Sequence, residues 1–238
     1  MRLTAAWGLL NLGLHSEGRR AAQQLLTENI TQDDELRAHI LIARSYNEAG
    51  DSEAADAELS RAAALLNGDT PSGPRVNYYT ERLAAASSLG DDPAALRYAH
   101  QAIEAEPGAS AGYGNLAAVY ERLGDPEAAI TNARKALSIA GNFLYYAQLN
   151  RLLWSAGEGV EALVVCDLMV ASHPTLADAY ALRGITRALV ADAAAPLSPE
   201  AAQFLRAMLI SDLKSALRYG PSNLPRTEVL HLIVTELG

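Results

Sequence analysis

Apolar residues recur every three or four positions along most of the chain, with polar residues between them. Near the C-terminal end, for example, Leu205, Leu209, Leu213 and Leu217 follow one another at intervals of four. This spacing places them on one side of an α-helix, and no stretch shows the strict alternation that a half-buried β-strand requires. The chain is also rich in alanine and leucine, which favour helices. The pattern therefore predicts an all-α fold.

Short polar turns that contain glycine divide these helical stretches at nearly regular intervals. The glycines are Gly50, Gly90, Gly124 and Gly157, which lie 40, 34 and 33 residues apart, and an acidic residue directly follows each of them. Because glycine accepts the positive φ at which many helices end, each turn is predicted to join two antiparallel helices. The spacing indicates a repeated unit of about 34 residues.

Other residue types keep a fixed place relative to these turns. A large aromatic residue opens the first helix of four successive units, at Tyr79, Tyr113, Tyr146 and Tyr180. A small residue recurs in the second helix, at Ala55, Ala95, Ala129 and Ala162. Proline closes two of the units, at Pro107 and Pro174. In this arrangement of glycine, aromatic, alanine and proline the sequence resembles the tetratricopeptide-repeat family.

The resemblance implies a right-handed α-solenoid of about six helix-turn-helix units and a C-terminal capping helix at 224–238. We expect the whole chain, 1–238, to form a single domain. The predicted units are 4–33, 36–69, 76–109, 110–142, 143–176 and 177–222.

Three segments depart from the regular pattern. In the first unit, Trp7 fits the aromatic position and Gly18 fits the turn. The segment Asn67–Arg75, which contains two prolines, is predicted to be a long loop between the second and third units. In the sixth unit, an insertion around Asp192–Ser198 is predicted to precede a helix of about twenty residues over Pro199–Arg218, which begins with an N-cap serine, a proline and an acid.

Composition and charge narrow the classes of function. The formal net charge of −9 argues against a nucleic-acid-binding protein, which needs a basic surface. No run reaches the roughly 18 apolar residues of a membrane span. The single cysteine, Cys166, excludes a disulfide framework and is expected to be a small buried residue at a helix crossing. The N-terminal run Leu3–Leu14 is interrupted by Asn11 and is followed by no cleavage site, so we expect a cytoplasmic protein.

The sequence contains no pattern typical of catalysis or cofactor binding. No two of the five histidines have the four-residue spacing of a helical metal site. Phosphate-binding loops and serine-nucleophile motifs are also missing. We therefore predict a protein without enzymatic activity, cofactor or metal.

In the tetratricopeptide-repeat family the first helices of the units line a concave side, where partners bind, often as extended peptides. The resemblance implies that polar and aromatic residues on these helices form the binding groove of this chain. These residues are Arg44, Asn47, Asn77, Glu81, Asn115, Arg122, Gln148, Arg151 and Trp154. Among them, Trp154, Arg151 and Arg122 are predicted to form a cationic, aromatic patch that suits an acidic or aromatic-bearing peptide.

The leading hypothesis is thus a non-enzymatic protein–protein interaction scaffold that binds a peptide or protein segment in this groove. One alternative is a regulatory or substrate-recruiting part of an enzyme or complex whose catalytic domain lies on another chain or outside this sequence. A further alternative is an assembly module, a homo-oligomer in which the long helix Pro199–Arg218 contacts a second copy.

Overall fold

The computed structural model describes residues 2–193 and 198–219, and all regular structure within these residues is helical. Twelve helices follow one another in the described residues. Their bounds are α1 Arg2–Asn11, α2 His15–Leu25, α3 Gln32–Glu48, α4 Ser52–Leu65, α5 Ser72–Ser88, α6 Asp92–Ala105, α7 Ser110–Arg122, α8 Pro126–Ile139, α9 Phe143–Ser155, α10 Gly159–Ser172, α11 Ala177–Ala193 and α12 Pro199–Arg218. The predicted all-α repeat fold is confirmed. None of these helices combines the length and the apolar character that crossing a membrane requires.

The chain divides into two compact units, an N-terminal unit of residues 1–132 and a C-terminal unit of residues 133–238. In the N-terminal unit, α1 packs against α2, α3 against α4, and α5 against α6, and each second helix also contacts the first helix of the next pair. The first helices α1, α3, α5 and α7 contact one another in that order. Because one helix pair cannot bury its own apolar face, the neighbouring pairs complete the core.

In the C-terminal unit, α10 packs against both α9 and α11, and α11 packs against α12. The predicted twenty-residue helix is confirmed as α12, and Ser198 caps it by accepting a hydrogen bond from the Ala201 backbone N–H at 3.2 Å. The preceding helix α11 continues to Ala193, so it includes the start of the predicted insertion. Residues 194–197 and the predicted capping helix at 224–238 lie outside the described residues. The single domain and its unit boundaries remain predictions.

Five glycines at the ends of first helices adopt the left-handed conformation, with φ between 74° and 81°. They are Gly13, Gly50, Gly90, Gly124 and Gly157. After the middle three, an aspartate caps the second helix by accepting a hydrogen bond of 3.0 or 3.1 Å from the backbone N–H three residues later. Glycine therefore ends one helix, and the next residue begins the other.

The first of these turns lies at Gly13, so the predicted turn at Gly18 is wrong. Gly18 lies within α2, where a Cβ atom would come within 2.7 Å of Leu10 Cγ and 3.1 Å of the Ala6 carbonyl oxygen. It follows Gly13 by five residues, the spacing that separates the later turn glycines from their alanines. Gly18 is thus the small residue at the helix crossing. This change of register moves Trp7 from the predicted packing position to a place where 39% of its surface is exposed.

The loop predicted over Asn67–Arg75 is present but ends earlier than predicted, because α5 already begins at Ser72. Pro74 lies in the first turn of α5, where the backbone N–H groups have no partner inside the helix, so a proline there removes no hydrogen bond. Asn67 and Thr70 close the shorter loop: the Thr70 N–H donates to the Asn67 carbonyl at 3.2 Å, and the Asn67 N–H donates to Thr70 Oγ1 at 3.0 Å.

One large and one small residue occupy two core positions in each of two neighbouring helix pairs, but on opposite helices. The positions lie seven residues before and nine residues after the turn glycine. The α3–α4 pair has Ala43 and Leu59, both completely buried in one core cluster. The α5–α6 pair has Leu83 and Ala99, which are 7% and 0% exposed and share the next cluster. In these two pairs the combined volume at the two positions is therefore kept while the bulky side chain changes helix, whereas the α1–α2 and α7–α8 pairs have alanine at both positions.

Candidate functional site

A cavity of about 660 Å³ opens between the first helices α1, α3 and α5 of the N-terminal unit. We call it the first-helix cavity. Its lining residues come from these helices, the end of α2 and the loop that follows α2; they are Arg2, Leu3, Thr4, Trp7, Leu25, Ile30, Asp34, Arg37, Ile40, Leu41, Pro74 and Asn77. Most of the lining is apolar, and its charged side chains are two arginines and one aspartate. The cavity can therefore hold an apolar side chain with polar groups at its edge.

Trp7 is the largest side chain of this cavity, and cations lie around it. The Arg44 guanidinium carbon is 4.9 Å from the centre of a Trp7 ring, a distance at which the positive charge is attracted to the aromatic face. At the edge of the cavity, Arg37 Nε lies 2.8 Å from an Asp33 carboxylate oxygen, and both side chains remain more than 40% exposed. Arg2 pairs with a glutamate in a similar exposed position. The cavity is thus an apolar recess with arginines at its edge.

Asn47 and Glu81 connect α3 to α5 beside this recess. The Asn47 amide nitrogen donates to a Glu81 carboxylate oxygen at 2.8 Å and to the Glu81 backbone carbonyl at 3.1 Å. Burial raises the pKa of Glu81 from its ordinary value of 4.5 to about 7, although the hydrogen bond from Asn47 and the charge of Arg44 oppose this rise. Glu81 is therefore a carboxyl group that keeps its proton at mildly acidic pH.

We expect the free energy of unfolding of the N-terminal unit to fall as the pH rises from about 4.5 to about 7. In this interval Glu81 has lost its proton in the unfolded chain but keeps it in the folded chain, so the folded state binds more protons and loses stability as they are removed. Glu81→Gln keeps an oxygen acceptor for Asn47 but cannot ionise, and it is expected to remove this part of the pH dependence. Urea denaturation across this range, followed by Trp7 fluorescence in a Trp154→Phe background, measures the effect. Equal slopes in both proteins would contradict the assignment.

The structure brings four of the predicted groove residues to this region. Asn77 lines the first-helix cavity, Arg44 stacks on Trp7, and Asn47 binds Glu81. The prediction missed Trp7 itself, because the assumed turn at Gly18 gave Trp7 a packing role. The five-residue spacing between Gly13 and Gly18 was the sequence signal that could have corrected this register.

Two further predicted residues of the N-terminal unit lie on α7. Asn115 is half-buried. Arg122 is exposed and its Nε lies 2.6 Å from an Asp92 carboxylate oxygen at the start of α6. This ion pair balances the charge of Arg122, so a ligand carboxylate would have to compete with Asp92 for the guanidinium.

The three remaining predicted residues lie on α9 in the C-terminal unit, where Gln148 is half-buried and Arg151 is exposed. Trp154 is half-buried and packs against the first residue of α10, because a Cβ atom on Gly159 would lie only 2.9 Å from Trp154 Cζ3. The Trp154 side chain also lines a second cavity, of about 740 Å³, together with Val160, Val164, Val190 and Ala193. The patch that combines Trp154 and Arg151 with Arg122 remains a prediction.

Cys166 is completely buried, as predicted. Burial raises the pKa of its thiol to about 11, although a hydrogen bond with Thr186 partly opposes the rise. Asn150 lies beside it, with the amide nitrogen 3.1 Å from Sγ and 3.2 Å from Thr186 Oγ1. At neutral pH Cys166 is therefore a protonated packing residue and not a nucleophile.

A buried charged cluster joins α10, α11 and α12, and no sequence pattern indicated it. Asp212 is only 2% exposed and accepts hydrogen bonds from Arg183, whose Nε lies 3.1 Å from Oδ1, and from Arg187. The exposed Asp167 contacts the same arginines at 3.1 and 3.2 Å. Burial by itself would lower the pKa of the Arg183 guanidinium, but the hydrogen bonds to Asp212 raise it. This cluster fixes the packing of the last three described helices.

Comparison with known protein families gives one sequence match, in which the tetratricopeptide repeat model matches residues 110–143. A search of curated proteins found no match.

Solved structures with a similar arrangement of helices are themselves tetratricopeptide-repeat proteins or share their helical architecture. TTC0263, a thermophilic TPR protein of Thermus thermophilus, is 20% identical with a TM-score of 0.65, covering 78% of this chain and 96% of its own. PilF of Pseudomonas aeruginosa is 18% identical with a TM-score of 0.61, and the match covers 99% of this chain and 94% of PilF. YrrB, a TPR protein described as having an unusual peptide-binding site, is 19% identical with a TM-score of 0.51, covering 91% and 98%. At these identities the likeness establishes the fold.

Proposed function

The chain contains a tetratricopeptide repeat at residues 110–143 and has the fold of tetratricopeptide-repeat proteins, and from this premise we propose that it is a non-enzymatic interaction scaffold. Its partner is a peptide or an extended protein segment that binds along the first helices. The first-helix cavity is the main contact. The peptide-binding site ascribed to YrrB supports a peptide ligand on this fold.

The observation that carries this proposal is the exposed ring of Trp7 within an apolar recess. The floor of the recess is already buried, since Ile40 and Leu41 are each 4% exposed, whereas Trp7 keeps 39% of its surface accessible. A tryptophan that packs on buried aliphatic residues and keeps part of its ring exposed to solvent is typical of residues that contribute strongly to binding. The cavity volume of about 660 Å³ accommodates at least one large side chain.

The arginines at the edge of the recess offer hydrogen-bond donors to an acidic partner. Arg2 and Arg37 line the cavity and Arg44 stacks on Trp7, while one carboxylate, that of Asp34, lies among the lining residues. Arg2 and Arg37 are already paired with Glu28 and Asp33, so a ligand carboxylate would have to compete with these exposed acids for the two guanidinium groups. A segment that places an aromatic or aliphatic side chain in the recess and a neighbouring carboxylate on an arginine would satisfy both features.

Panning a phage library of short random peptides on the immobilised full chain tests the function. We expect recovered peptides to share a large apolar residue with aspartate or glutamate beside it, and to bind the chain in solution calorimetry. Trp7→Ala should weaken binding by roughly 2 kcal/mol or more, as for a hot-spot tryptophan. Arg37→Gln should weaken the acidic peptides selectively.

Matched controls come from the same unit. Leu89→Ala removes an apolar side chain that is 61% exposed and lies outside the cavity, and Arg97→Gln removes an exposed arginine on the second helix α6. Both variants should bind the recovered peptides as the unchanged chain does. Recovery of no peptide, or equal losses for Trp7→Ala and Leu89→Ala, would refute the proposal. Recovered peptides that depend on Trp7 but lack acidic residues would refute only the charge preference.

A further inference from the structure

One arginine beside the first-helix cavity, Arg44, forms no ion pair among the described residues. The arginines that line the cavity, Arg2 and Arg37, are both paired with acids. Arg44 is half-buried, and its guanidinium carbon lies 4.9 Å from the centre of a Trp7 ring. A guanidinium group that lies on an aromatic face keeps N–H donors at its edge, where a carboxylate can pair with them. A ligand carboxylate therefore displaces no other acid when it binds Arg44.

The Glu81 carboxyl group can compete with a ligand carboxylate for Arg44. Asn47, one helical turn after Arg44 on α3, donates to a Glu81 carboxylate oxygen at 2.8 Å, so Glu81 faces the side of α3 that carries Arg44. The charge of Arg44 acts on Glu81 and favours its ionised form. The donor that contacts the carboxyl group is a neutral amide, and burial in such surroundings disfavours the charge, so the pKa of Glu81 is about 7. Glu81 is thus uncharged at mildly acidic pH and an anion at mildly alkaline pH.

The ionisation of Glu81 depends on few other charged groups. On α3, Arg44 favours the ionised form of Glu81, and the exposed Glu48 opposes it. The residues four positions away on α5 itself, Asn77 and Ala85, carry no charge. The helices α4, α6 and α7 also pack against α5, and within the described residues none of them adds a charged group that acts on Glu81. Arg44 is therefore the positive charge to which the ionisation of Glu81 is coupled.

We propose that the first-helix cavity takes up a proton when it binds an acidic peptide: Arg44 pairs with the peptide carboxylate, and Glu81 is protonated in the complex. This inference rests on the function proposed above and assigns the acidic group of the partner to a particular side chain. A carboxylate on Arg44 neutralises the positive charge that favours ionisation of Glu81, so the complex holds the proton more strongly than the free chain does. By linkage, the affinity for the peptide falls as the pH rises through about 7.

The probe is the acidic peptide that binds most tightly among those recovered by panning, synthesised with blocked ends and with any histidine replaced by glutamine. A counterpart carries amides in place of its side-chain carboxylates. Calorimetry with the full chain measures the dissociation constant at pH values on both sides of about 7. Repeating the titration in buffers with different enthalpies of ionisation measures the number of protons taken up, which the dissociation constant alone does not reveal.

For the unchanged chain we expect the dissociation constant of the acidic peptide to be at least about fivefold higher at mildly alkaline than at mildly acidic pH. Proton uptake should accompany binding at about pH 7, because only part of the free chain is protonated at Glu81 there. The amide counterpart should bind independently of pH and take up no proton, since it does not neutralise Arg44.

Glu81→Gln separates this linkage from other effects of pH. It keeps an oxygen acceptor for Asn47 but cannot ionise, so it should bind the acidic peptide at alkaline pH as tightly as the unchanged chain does at acidic pH, without proton uptake. The matched control Glu48→Gln removes the same formal charge from an exposed side chain that water screens, and should keep the pH dependence of the unchanged chain. Arg44→Gln should bind the acidic peptide no better than the amide counterpart, whereas Arg37→Gln should retain part of the preference.

A fall in affinity with rising pH that persists in Glu81→Gln would overturn the proposal. An acidic peptide that Arg44→Gln binds as tightly as the unchanged chain does would also overturn it. So would a loss of the pH dependence in Glu48→Gln, which would indicate general repulsion between the peptide and an acidic chain. Unchanged binding of the amide counterpart shows that each variant is folded. In all three cases the function proposed for the cavity stands if Trp7→Ala weakens both peptides, whereas a Trp7→Ala variant that binds both normally refutes that function and this inference with it.

Discussion

Replacing Asp212 with alanine is expected to lower the free energy of unfolding of the C-terminal unit by about 3–5 kcal/mol. The Asp212 side chain is 2% exposed, and those of Arg183 and Arg187 are 17% and 9% exposed. Removing the carboxylate leaves two guanidinium groups largely shielded from water without their main acceptor, and the cost of that uncompensated charge dominates the loss. Urea denaturation followed by Trp154 fluorescence, in a Trp7→Phe background, reports on this unit alone.

Asp167→Ala is the matched control for this result. Its carboxylate contacts the same two arginines at 3.1 and 3.2 Å, but its side chain is 50% exposed. Water already screens that charge, so we expect a loss of about 0–1 kcal/mol. Similar losses for the two aspartates would mean that burial does not determine the contribution of this cluster.

Replacing Leu59 with alanine is expected to lower the free energy of unfolding of the N-terminal unit by about 2–5 kcal/mol. Leu59 is completely buried, and its truncation leaves a cavity in the core cluster that also contains Ala43. Ala43→Leu alone should also destabilise the unit, by about 1–3 kcal/mol, because it forces extra volume into a filled site.

The double variant Ala43→Leu, Leu59→Ala separates volume from residue identity. This variant has the same order of large and small residue as Leu83 and Ala99 in the next helix pair. We therefore expect its free energy of unfolding to fall by less than the sum of the two single losses. The difference between that sum and the measured loss, which is the coupling energy, should be about 0.5–3 kcal/mol. Urea denaturation followed by Trp7 fluorescence, in a Trp154→Phe background, measures all four proteins. Strictly additive losses would show that the two positions do not share one space.

The helix pairs were predictable because the signals that define them are local and repeated. A turn glycine such as Gly124 and the alanine five residues later lie within one stretch of chain, and their recurrence fixes the register without any knowledge of packing. The first pair was assigned wrongly because Gly13 and Gly18 both look like turn glycines. The small residue five positions after Gly13 favours the turn at Gly13, and the close approach of Gly18 to Leu10 and Ala6 confirms it.

The candidate sites were less predictable because each joins residues that are distant in sequence. Asn77 and Arg44 follow from the repeat register, but the exposure of Trp7 depends on the corrected first turn. Asp212 lies 29 residues from Arg183, and no periodic pattern links a single buried carboxylate in α12 to an arginine in α11. Arg122 was assigned to the groove by its position, whereas its pairing with Asp92 depends on side-chain conformations that the repeat pattern does not encode.

The opposite order of the bulky residue in neighbouring helix pairs has a consequence for how a gene of this kind can change by recombination. An exchange that replaced α6 with a copy of α4 would bring a leucine against Leu83, and the reverse exchange would put alanine at both positions of the α3–α4 pair. The first product is overfilled and should be selected against, whereas the second has the two alanines that the α1–α2 and α7–α8 pairs already have. Crossovers that fall between helix pairs transfer both members together and avoid the overfilled product. Duplication or loss of segments in this gene should therefore be tolerated more readily in whole pairs than in single helices.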